Sequence, residues 1–369
     1  MFWRCKVRKR IVVAVVLAVL LAASAYAQTT QYFLYVTDTS SNDISAYTIN
    51  SSTGALTAVS GSPFPAGRGP GGIAVDPRGK FVYVANNGSN NASAYMIDSS
   101  TGALSAVSGS PFPVGSNPEG IAVDPTGKFV YVLNSNNRNV SAFTINSSTG
   151  TLTAVSGSPF PAGPTPAGVA ADPTGRFLYV TNNFGLNVSG YTINPSTGAL
   201  TAVSGSPFPA GLYPGGIAVD STGKFLYVAS YNNRNVSGYT INPSTGALTT
   251  VSGSPFPTGS SPWSIAADPT GKFLYVTNNG SNNVSAYTID SSTGALTTVS
   301  GSPFPAGSNL ENIAVDPTGK FVYVANHGSN NVSAYAIDSS TGALTAVSDS
   351  PFPSGRGPSG VAIAAITGP

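Results

Sequence analysis

Apolar and polar positions along this chain alternate in a pattern that repeats every 48 residues. In the unit that begins at Gly120, an apolar run (Ile121 to Asp124) is followed by a D-P-T-G turn and by a second run that is apolar at every position (Phe129 to Leu133). An Asn-rich stretch then precedes a third run (Val140 to Ile145), and an S-S-T-G turn leads to a fourth (Leu152 to Val155). Aromatic and β-branched residues favour strands, and Asp, Pro and Gly stand where a type I turn prefers them. The pattern predicts four antiparallel strands per unit, after which the S-P-F-P segment is expected to break the pairing.

Seven copies of this unit fill the chain. The tyrosine of a Y-V-x-N motif marks each of them: Tyr35, Tyr83, Tyr131, Tyr179, Tyr227, Tyr275 and Tyr323. A period of this length is typical of solenoids and propellers, because one unit cannot bury its apolar surface without neighbours. The second run is apolar on both faces, so each sheet needs cover on both sides. Hairpin turns inside each unit disfavour the competing parallel β-helix.

The two ends of the chain are complementary parts of one unit. Gly360 to Ile363 repeats the first strand, while Phe33 to Val36, Ile44 to Ile49 and Leu56 to Val59 supply the other three. Pairing of these segments would close a ring and remove two exposed sheet edges. We therefore predict an all-β fold, a seven-bladed β-propeller over residues 28–369, with one blade built from both termini.

Residues 1–27 have the organisation of a secretory signal peptide. Five basic residues precede an apolar stretch from Ile11 to Ala23, and Ala25-Tyr26-Ala27 forms an A-x-A cleavage site. We expect cleavage after Ala27, a secreted or periplasmic location, and no membrane span in the mature protein.

Removal of this segment changes the charge of the chain. Five of the 16 basic residues leave with it, so 11 remain against 14 acidic residues and the net charge changes from +2 to −3. The only cysteine, Cys5, leaves as well. A nucleic-acid partner, which needs clustered positive charge, is disfavoured. No zinc-ligand spacing, spaced carboxylate set or Gly-rich phosphate loop is present, so neither a metal nor a cofactor is expected.

The motifs resemble those of a known family. Y-V-A-N at Tyr83 and Y-V-T-N at Tyr179 and Tyr275, with the longer pattern P-x-G-I-A-V-D-P-T-G-K-F-V-Y-V-x-N, are similar to YVTN-repeat proteins and to the seven-bladed lactonase family. The resemblance implies a propeller and, for chemistry, a 6-phosphogluconolactonase-like hydrolase or a muconate cycloisomerase. Relatives of the bacterial phosphogluconolactonase carry an Arg-His pair after G-x-G-P. In this chain Gly71-Gly72 and Ser359-Gly360 follow that motif.

Positions where the copies differ are the candidates for function. The residue before the first strand forms a variable column: Gly71, Glu119, Ala167, Gly215, Trp263, Glu311 and Ser359. A second column follows the Y-V-x-N strand: Thr39, Asn87, Ser135, Asn183, Tyr231, Asn279 and His327. They contain both glutamates, the single histidine and the only tryptophan after residue 27.

Glu311 and His327 are the catalytic candidates, because they belong to one unit. Counting back from the turn at Asp316 places Glu311 opposite Asn326, one residue from His327, at roughly 4.5 to 8 Å between Cβ atoms. A carboxylate at that distance would orient the imidazole as a general base.

The predicted ligand-binding residues are Trp263, Glu119, Asn312, Tyr231, Arg68 and Arg356. Trp263 would stack on a ring or a sugar. Arg68 and Arg356 occupy matching positions on adjacent units and would clamp a carboxylate or a phosphate. Glu119 and Glu311 lie three units apart, and their spacing does not by itself select a carboxylate pair of the glycosidase type.

Three functions are compatible with these residues. The first is an exported module that binds a small molecule, a carbohydrate or a protein at the mouth of the channel without catalysis. The second is a lactone hydrolase or cycloisomerase, and the third is a structural module of the cell envelope.

Overall fold

The computed structural model describes residues 30–367, which form seven antiparallel sheets arranged as the blades of a ring. The innermost strands of successive blades are in contact all the way around, including the last with the first. The predicted seven-bladed propeller is therefore confirmed. The predicted signal peptide lies outside the described residues. No helix within residues 30–367 has the length and apolarity that a membrane crossing requires.

Each blade has an inner, a second, a third and an outer strand. The inner strands of blades 2 to 7 and then of blade 1 are Pro70–Val75, Pro118–Val123, Pro166–Ala171, Pro214–Val219, Pro262–Ala267, Leu310–Val315 and Pro358–Thr367. The second strands of blades 1 to 7 are Thr30–Asp38, Phe81–Asn86, Phe129–Asn134, Phe177–Asn182, Phe225–Ser230, Phe273–Asn278 and Phe321–Asn326.

The remaining strands lie towards the outside of the ring. The third strands are Asp43–Ile49, Asn91–Ile97, Asn139–Ile145, Asn187–Ile193, Asn235–Ile241, Asn283–Ile289 and Asn331–Ile337. The outer strands are Leu56–Ala58, Leu104–Ala106, Leu152–Ala154, Leu200–Ala202, Leu248–Thr250, Leu296–Thr298 and Leu344–Ala346. One 3₁₀ turn, Asn87–Ser89, follows the second strand of blade 2.

A fifth, two-residue strand corrects the expectation for the S-P-F-P segment. Instead of ending the pairing, the Phe-Pro dipeptide of each blade pairs with the beginning of the third strand, as Phe160 does with Val140. The outer strand covers only the far half of the third strand, so this near half is free to pair. Proline is tolerated there because its missing N–H falls at a sheet edge. These strands are Phe64–Pro65, Phe112–Pro113, Phe160–Pro161, Phe208–Pro209, Phe256–Pro257, Phe304–Pro305 and Phe352–Pro353.

Both termini build blade 1, as the sequence predicted. The strand Thr30–Asp38 pairs antiparallel with Pro358–Thr367, with Tyr32 opposite Ala365 and Val36 opposite Val361. The inner strand of this blade thus comes from the C-terminal end of the chain and the other strands from its N-terminal end. This pairing completes the sheet of blade 1, which lies between blade 7 and blade 2 in the ring.

The hydrophobic core lies between neighbouring blades. Every residue of a second strand such as Phe129–Asn134 is buried, which explains why this run is apolar on both faces. The tyrosine in the middle of each second strand reaches the next blade, where its hydroxyl donates to a turn glycine, as Tyr131 does to the carbonyl of Gly198 at 3.0 Å. The same bond from Tyr323 to Gly54, 2.9 Å long, closes the ring.

The two ends of the ring differ in what they contain. The end that we call the turn rim carries the D-P-T-G and S-S-T-G turns. In the first kind of turn, Oδ1 of an aspartate such as Asp124 accepts the N–H groups of Lys128 and Phe129 at 2.8 and 2.7 Å. The other end, which we call the mouth, carries the loops between second and third strands and the crossovers between blades.

Candidate functional site

A bulge in each inner strand shapes the mouth end of the channel. We expected Glu311 opposite Asn326, but Leu310 faces Asn326 and the expected register returns only at Ile313. Glu311 and Asn312 therefore share the space of one residue on the second strand. The same shift occurs in every blade. Uniform counting back from the turn fails because a bulge adds one residue to one strand only.

Contacts to the neighbouring blade hold the bulges. The hydroxyl of Thr277 donates to the carbonyl of Glu311 at 2.9 Å, and that of Thr181 donates to the carbonyl of Gly215 at 2.7 Å. The backbones come so close that a Cβ on Gly216 would stand 2.7 Å from the Trp263 carbonyl oxygen. This second bulge position is therefore glycine in five blades: Gly72, Gly120, Gly168, Gly216 and Gly360.

The bulges line a cavity of about 600 Å³ in the channel. All seven members of the first variable column line it: Gly71, Glu119, Ala167, Gly215, Trp263, Glu311 and Ser359. Its volume lies in the usual range of small-molecule sites, about 300 to 1,000 Å³. Glu119 and Glu311 are the only charged side chains among the described residues that line it.

Glu311 is the carboxylate with the most perturbed environment in this cavity. Burial raises the pKa of Glu311 to about 7, and the indole N–H of Trp263 on the preceding blade partly offsets this rise. A carboxyl group with a pKa near neutrality exchanges protons readily at physiological pH.

Asn312 lies beside Glu311 and is held by its side-chain oxygen. Oδ1 of Asn312 accepts the N–H of Ile313 at 2.9 Å and lies 3.4 Å from the hydroxyl of Ser264, which donates to it. Its Nδ2 makes no hydrogen bond within the described part of the chain and is free to donate to a ligand. Ser264 and Asn312 replace the bulge glycine in blades 6 and 7, the two blades that also carry Trp263 and Glu311.

Glu119 differs from Glu311 in its partners. Nδ2 of Asn117 donates to Oε1 of Glu119 at 2.9 Å. Burial raises the pKa of Glu119, while hydrogen bonds from Ser135 and Asn117 oppose that rise. Glu119 has two side-chain donors and Glu311 has one, so the ionised form is better stabilised at Glu119 and the two glutamates of the cavity differ in character.

A second cavity of about 350 Å³ opens beside the first and shares Glu119, Ala167 and Trp263 with it. Tyr231 lines this second cavity, and its ring meets Trp263 edge to face, with 5.9 Å between ring centroids. The structure therefore brings together five predicted residues: Glu119, Tyr231, Trp263, Glu311 and Asn312.

The other predicted residues do not line these two cavities. His327 lies against the next blade, where its Nε2 would stand 3.0 Å from a Cβ placed on Gly357. The only ion pair within residues 30–367 joins Arg78 to Asp76, so Glu311 and His327 form none. Arg68 and Arg356 are exposed in the crossovers that enter blades 2 and 1. Their catalytic and binding roles stay predictions.

Sequence reasoning overlooked residues that line the two cavities. Ser264 stands where five copies have glycine, and Tyr213 and Thr165 precede the inner strands of blades 5 and 4. Thr165 and Tyr213 each occur once in their column, the same signal that identified Trp263. The cavities therefore have more variable positions than the two columns we compared.

A seven-bladed propeller with a carboxylate-bearing cavity at the mouth of its channel is the class that fold and site define. Sequence comparison then gives the family. Four overlapping matches to the family model "Lactonase, 7-bladed beta-propeller", over residues 25–163, 156–263, 206–310 and 254–357, show that the chain belongs to this family.

Solved structures of the same fold come from several bacteria. A Bacteroides uniformis protein provisionally described as a 6-phosphogluconolactonase is 22% identical, with a TM-score of 0.79 over 91% of this chain and 100% of that one. The periplasmic gluconolactonase PpgL of Pseudomonas aeruginosa is 19% identical, with a TM-score of 0.76 over 92% and 100%. At this identity the likeness concerns the fold. A search of curated proteins found no match.

Proposed function

We propose that this protein hydrolyses an uncharged lactone at the mouth of its channel, with Glu311 as the general base. Membership of the lactonase family supports hydrolysis over binding alone. The observation that carries the proposal is the Glu311 carboxyl group, half-buried beside Trp263 in the cavity with its pKa raised to about 7. A general base is most effective when its pKa lies near the working pH.

Hydrolysis follows from this arrangement in two steps. The Glu311 carboxylate takes a proton from a water molecule as the water oxygen attacks the lactone carbonyl carbon, and a tetrahedral oxyanion forms. The oxyanion then collapses, the ring C–O bond breaks, and the departing oxygen takes the proton back from Glu311. One water is consumed, a hydroxy acid is released, and the carboxylate is restored.

Asn312 is the candidate donor to the oxyanion. Its side-chain oxygen is occupied by Ile313 and Ser264, which leaves the amide NH₂ as the group that can reach a ligand. Side-chain amides that donate to a tetrahedral intermediate contribute about 2.7 to 4 kcal/mol to catalysis in other acyl-transfer enzymes.

The charges of the cavity favour an uncharged substrate. Two glutamates and no cationic side chain line it among the described residues. A phosphate group would meet like charge there and find no arginine or lysine to bind it. Gluconolactone, the substrate in the name of the Pseudomonas aeruginosa relative, carries no phosphate. We therefore expect an unphosphorylated sugar lactone to be turned over faster than its 6-phosphate.

The test is turnover of glucono-1,5-lactone and of 6-phosphogluconolactone by the purified protein, corrected for spontaneous hydrolysis. Glu311→Gln keeps the shape of the side chain and removes the base, so kcat/KM should fall by about 10²- to 10⁴-fold while the melting temperature holds. Absence of turnover above background, with folded protein, would contradict hydrolysis and favour binding without catalysis.

Two matched variants test the assignment of the base. Glu119→Gln removes the other carboxylate of the same cavity, and His327→Gln removes the imidazole outside it. Both should retain a kcat/KM within about tenfold of the parent protein. A loss in His327→Gln as large as that in Glu311→Gln would transfer the role to the histidine.

A further inference from the structure

The second cavity is an aromatic cleft in one sector of the mouth. Tyr213, Tyr231 and Trp263 form its walls, and its other lining residues are Thr165, Asn183, Asn232, Glu119 and Ala167. Glu119 comes from blade 3 and the other residues from blades 4, 5 and 6. We call it the aromatic cleft below.

Two edge-to-face aromatic pairs lie at this cleft, and each includes a tyrosine that lines it. Tyr231 meets Trp263 with 5.9 Å between ring centroids, and Tyr213 meets Phe184 at 5.5 Å. Phe184 is 63% exposed and is one of only four large apolar side chains exposed in residues 30–367. Three of these four, Phe184, Leu186 and Leu212, lie in the loops beside the cleft. Exposed apolar surface concentrated in one place marks a binding site.

Two residues that line the cleft have a backbone conformation that is unfavourable for their side chains. The residue before each inner strand is in the left-handed conformation, with φ between +50° and +68°, and four of the seven copies use glycine or asparagine there: Gly69, Asn117, Asn309 and Gly357. Tyr213 (φ +54°) and Thr165 (φ +53°) occupy the same position, although bulky and β-branched residues are disfavoured in it. Both line the cleft. A strained residue kept where glycine would fit indicates that its side chain has a use.

The chemistry of the cleft suits a sugar ring. Aromatic rings bind the apolar face of a pyranose, and amide and hydroxyl groups bind its hydroxyls. Asn183, Asn232 and Thr165 supply such groups, while the described lining contains no lysine, arginine or histidine. Its single charge is Glu119, which also lines the channel cavity.

We propose that the aromatic cleft is a second subsite, which binds a sugar residue attached to the lactone in the channel. This inference rests on the proposed lactone hydrolysis and adds a substrate class, the lactone of an oligosaccharide oxidised at its reducing end. Glu119, Ala167 and Trp263 line both cavities, so the two cavities are adjacent, and the proposal places one ligand across both. The reaction opens the lactone ring by addition of water and leaves the glycosidic bond intact. An oxidation at the anomeric carbon must supply this substrate.

Kinetics with lactones of two sizes test the subsite. We expect kcat/KM for a disaccharide lactone, cellobiono-1,5-lactone or maltobiono-1,5-lactone, to exceed that for glucono-1,5-lactone by about five- to tenfold, the size of one stacking contact. Turnover of the monosaccharide lactone with no gain for either disaccharide would overturn the subsite and leave the hydrolase intact. Faster turnover of an aryl lactone such as dihydrocoumarin than of all sugar lactones would overturn the sugar assignment.

Tyr213→Gly separates ligand binding from structure. The substitution removes the ring and relieves the positive φ, so the variant should melt at the same or a higher temperature. Its kcat/KM should fall by about five- to tenfold for the disaccharide lactone and by a smaller factor for glucono-1,5-lactone. Asn309→Gly is the control, because it introduces glycine at the same backbone position (φ +50°) of a blade outside the cleft. Equal effects of the two variants on both lactones would contradict the proposal.

A binding measurement makes the test independent of catalysis. Trp263 is the only tryptophan after residue 27, so the fluorescence of protein lacking residues 1–27 reports on the cleft directly. Cellobiose or maltose should change this fluorescence saturably, and Tyr213→Gly should weaken that binding by about five- to tenfold. Met96→Ala, which removes a side chain that is 49% exposed on another blade, should bind like the parent protein. Fluorescence unaffected by both disaccharides would overturn the subsite even if no lactone is hydrolysed.

Discussion

The two ends of the ring are built from the same repeats, yet they differ in how far the copies vary. On the turn rim, the S-S-T-G glycine occurs in all seven copies and the D-P-T-G turn recurs with single changes at Arg78 and Ser221. At the mouth, seven different blades place Gly, Glu, Ala, Gly, Trp, Glu and Ser around one cavity. The residues that repeat therefore build the propeller scaffold, and the residues that differ between the copies line the candidate site. Changes on the turn rim should alter stability, and changes at the mouth should alter activity.

The largest effect on stability is expected from a turn-rim glycine. A Cβ on Gly102 (φ +76°) would lie 2.3 Å from the Phe33 ring of the preceding blade. Gly102→Ala should lower the free energy of unfolding by about 2 to 5 kcal/mol, from strain in the left-handed region together with overpacking. Urea denaturation measures this change.

Gly109→Ala is the control for that prediction, since Gly109 has a similar φ of +81° but its nearest neighbour, the Phe112 ring, is 3.7 Å from the added Cβ. Only the conformational part, about 1 to 2 kcal/mol, should be lost. Equal losses in the two variants would show that packing between blades contributes nothing at this rim.

A smaller, pH-dependent effect on stability is expected at Asp38, which departs from the repeat in blade 1, the blade that closes the ring. The buried Asp38 stands where five other blades have asparagine, and burial, reinforced by the nearby charge of Asp43, raises its pKa from 3.8 to about 6. The folded state thus binds this proton more tightly than the unfolded state. The stability that protonation contributes is present below about pH 4 and is lost as the pH rises through about 6.

Asp38→Asn removes this titration. Between pH 4 and pH 8 its free energy of unfolding should rise relative to the parent protein by up to about 3 kcal/mol, the equivalent of the pKa shift. Asp98→Asn on the turn rim is the control, because the exposed Asp98 has a pKa lowered to about 2 by hydrogen bonds from Ser100 and Thr101. Above about pH 5 Asp98 is ionised in both the folded and the unfolded state, so the free energy of unfolding of Asp98→Asn relative to the parent protein should change little between about pH 5 and pH 8. An Asp38→Asn curve parallel to that of the parent protein would contradict the account.

The smallest effect on stability is expected from restoring the repeated third-strand tyrosine in blade 3. In six blades a third-strand tyrosine donates to the S-P-F-P carbonyl of the preceding blade, as Tyr95 does to Pro65 at 2.8 Å. In blade 3 this residue is Phe143. Phe143→Tyr should add about 0.5 to 1.5 kcal/mol of stability, and Tyr95→Phe should remove a similar amount. A destabilised Phe143→Tyr variant would show that the copies are not interchangeable in this way.

The same contrast explains which features the sequence could predict. The period of the sequence was sufficient to predict the blades and the closure of the ring. The pairing of Thr30–Asp38 with Pro358–Thr367 follows because the two ends of the chain are complementary parts of one unit. Departure from the repeat located Glu311 and Trp263 in the channel cavity. The neighbours of Glu311 were not predictable by counting, because the bulge after Leu310 shifts the register there.

Tyr213 shows a second limit. Its column varies too, but a column of Gly, Asn, Thr, Tyr and Ser looks like an ordinary loop until the positive φ is known. Once that conformation is known, tyrosine and threonine become the informative residues. Backbone conformation is therefore the information that the sequence lacked at the aromatic cleft.

The dependence of kcat/KM on pH, measured with glucono-1,5-lactone, tests most directly whether the mouth carries the chemistry. Glu311 must be deprotonated to act as a base, and its pKa is raised to about 7, so the rate should rise with pH, reach half its maximum near pH 7 and level off above about pH 8. In Glu311→Gln the residual rate should lack this step. A profile that is flat from pH 5 to 9, or a step near pH 7 that persists in Glu311→Gln, would contradict the account.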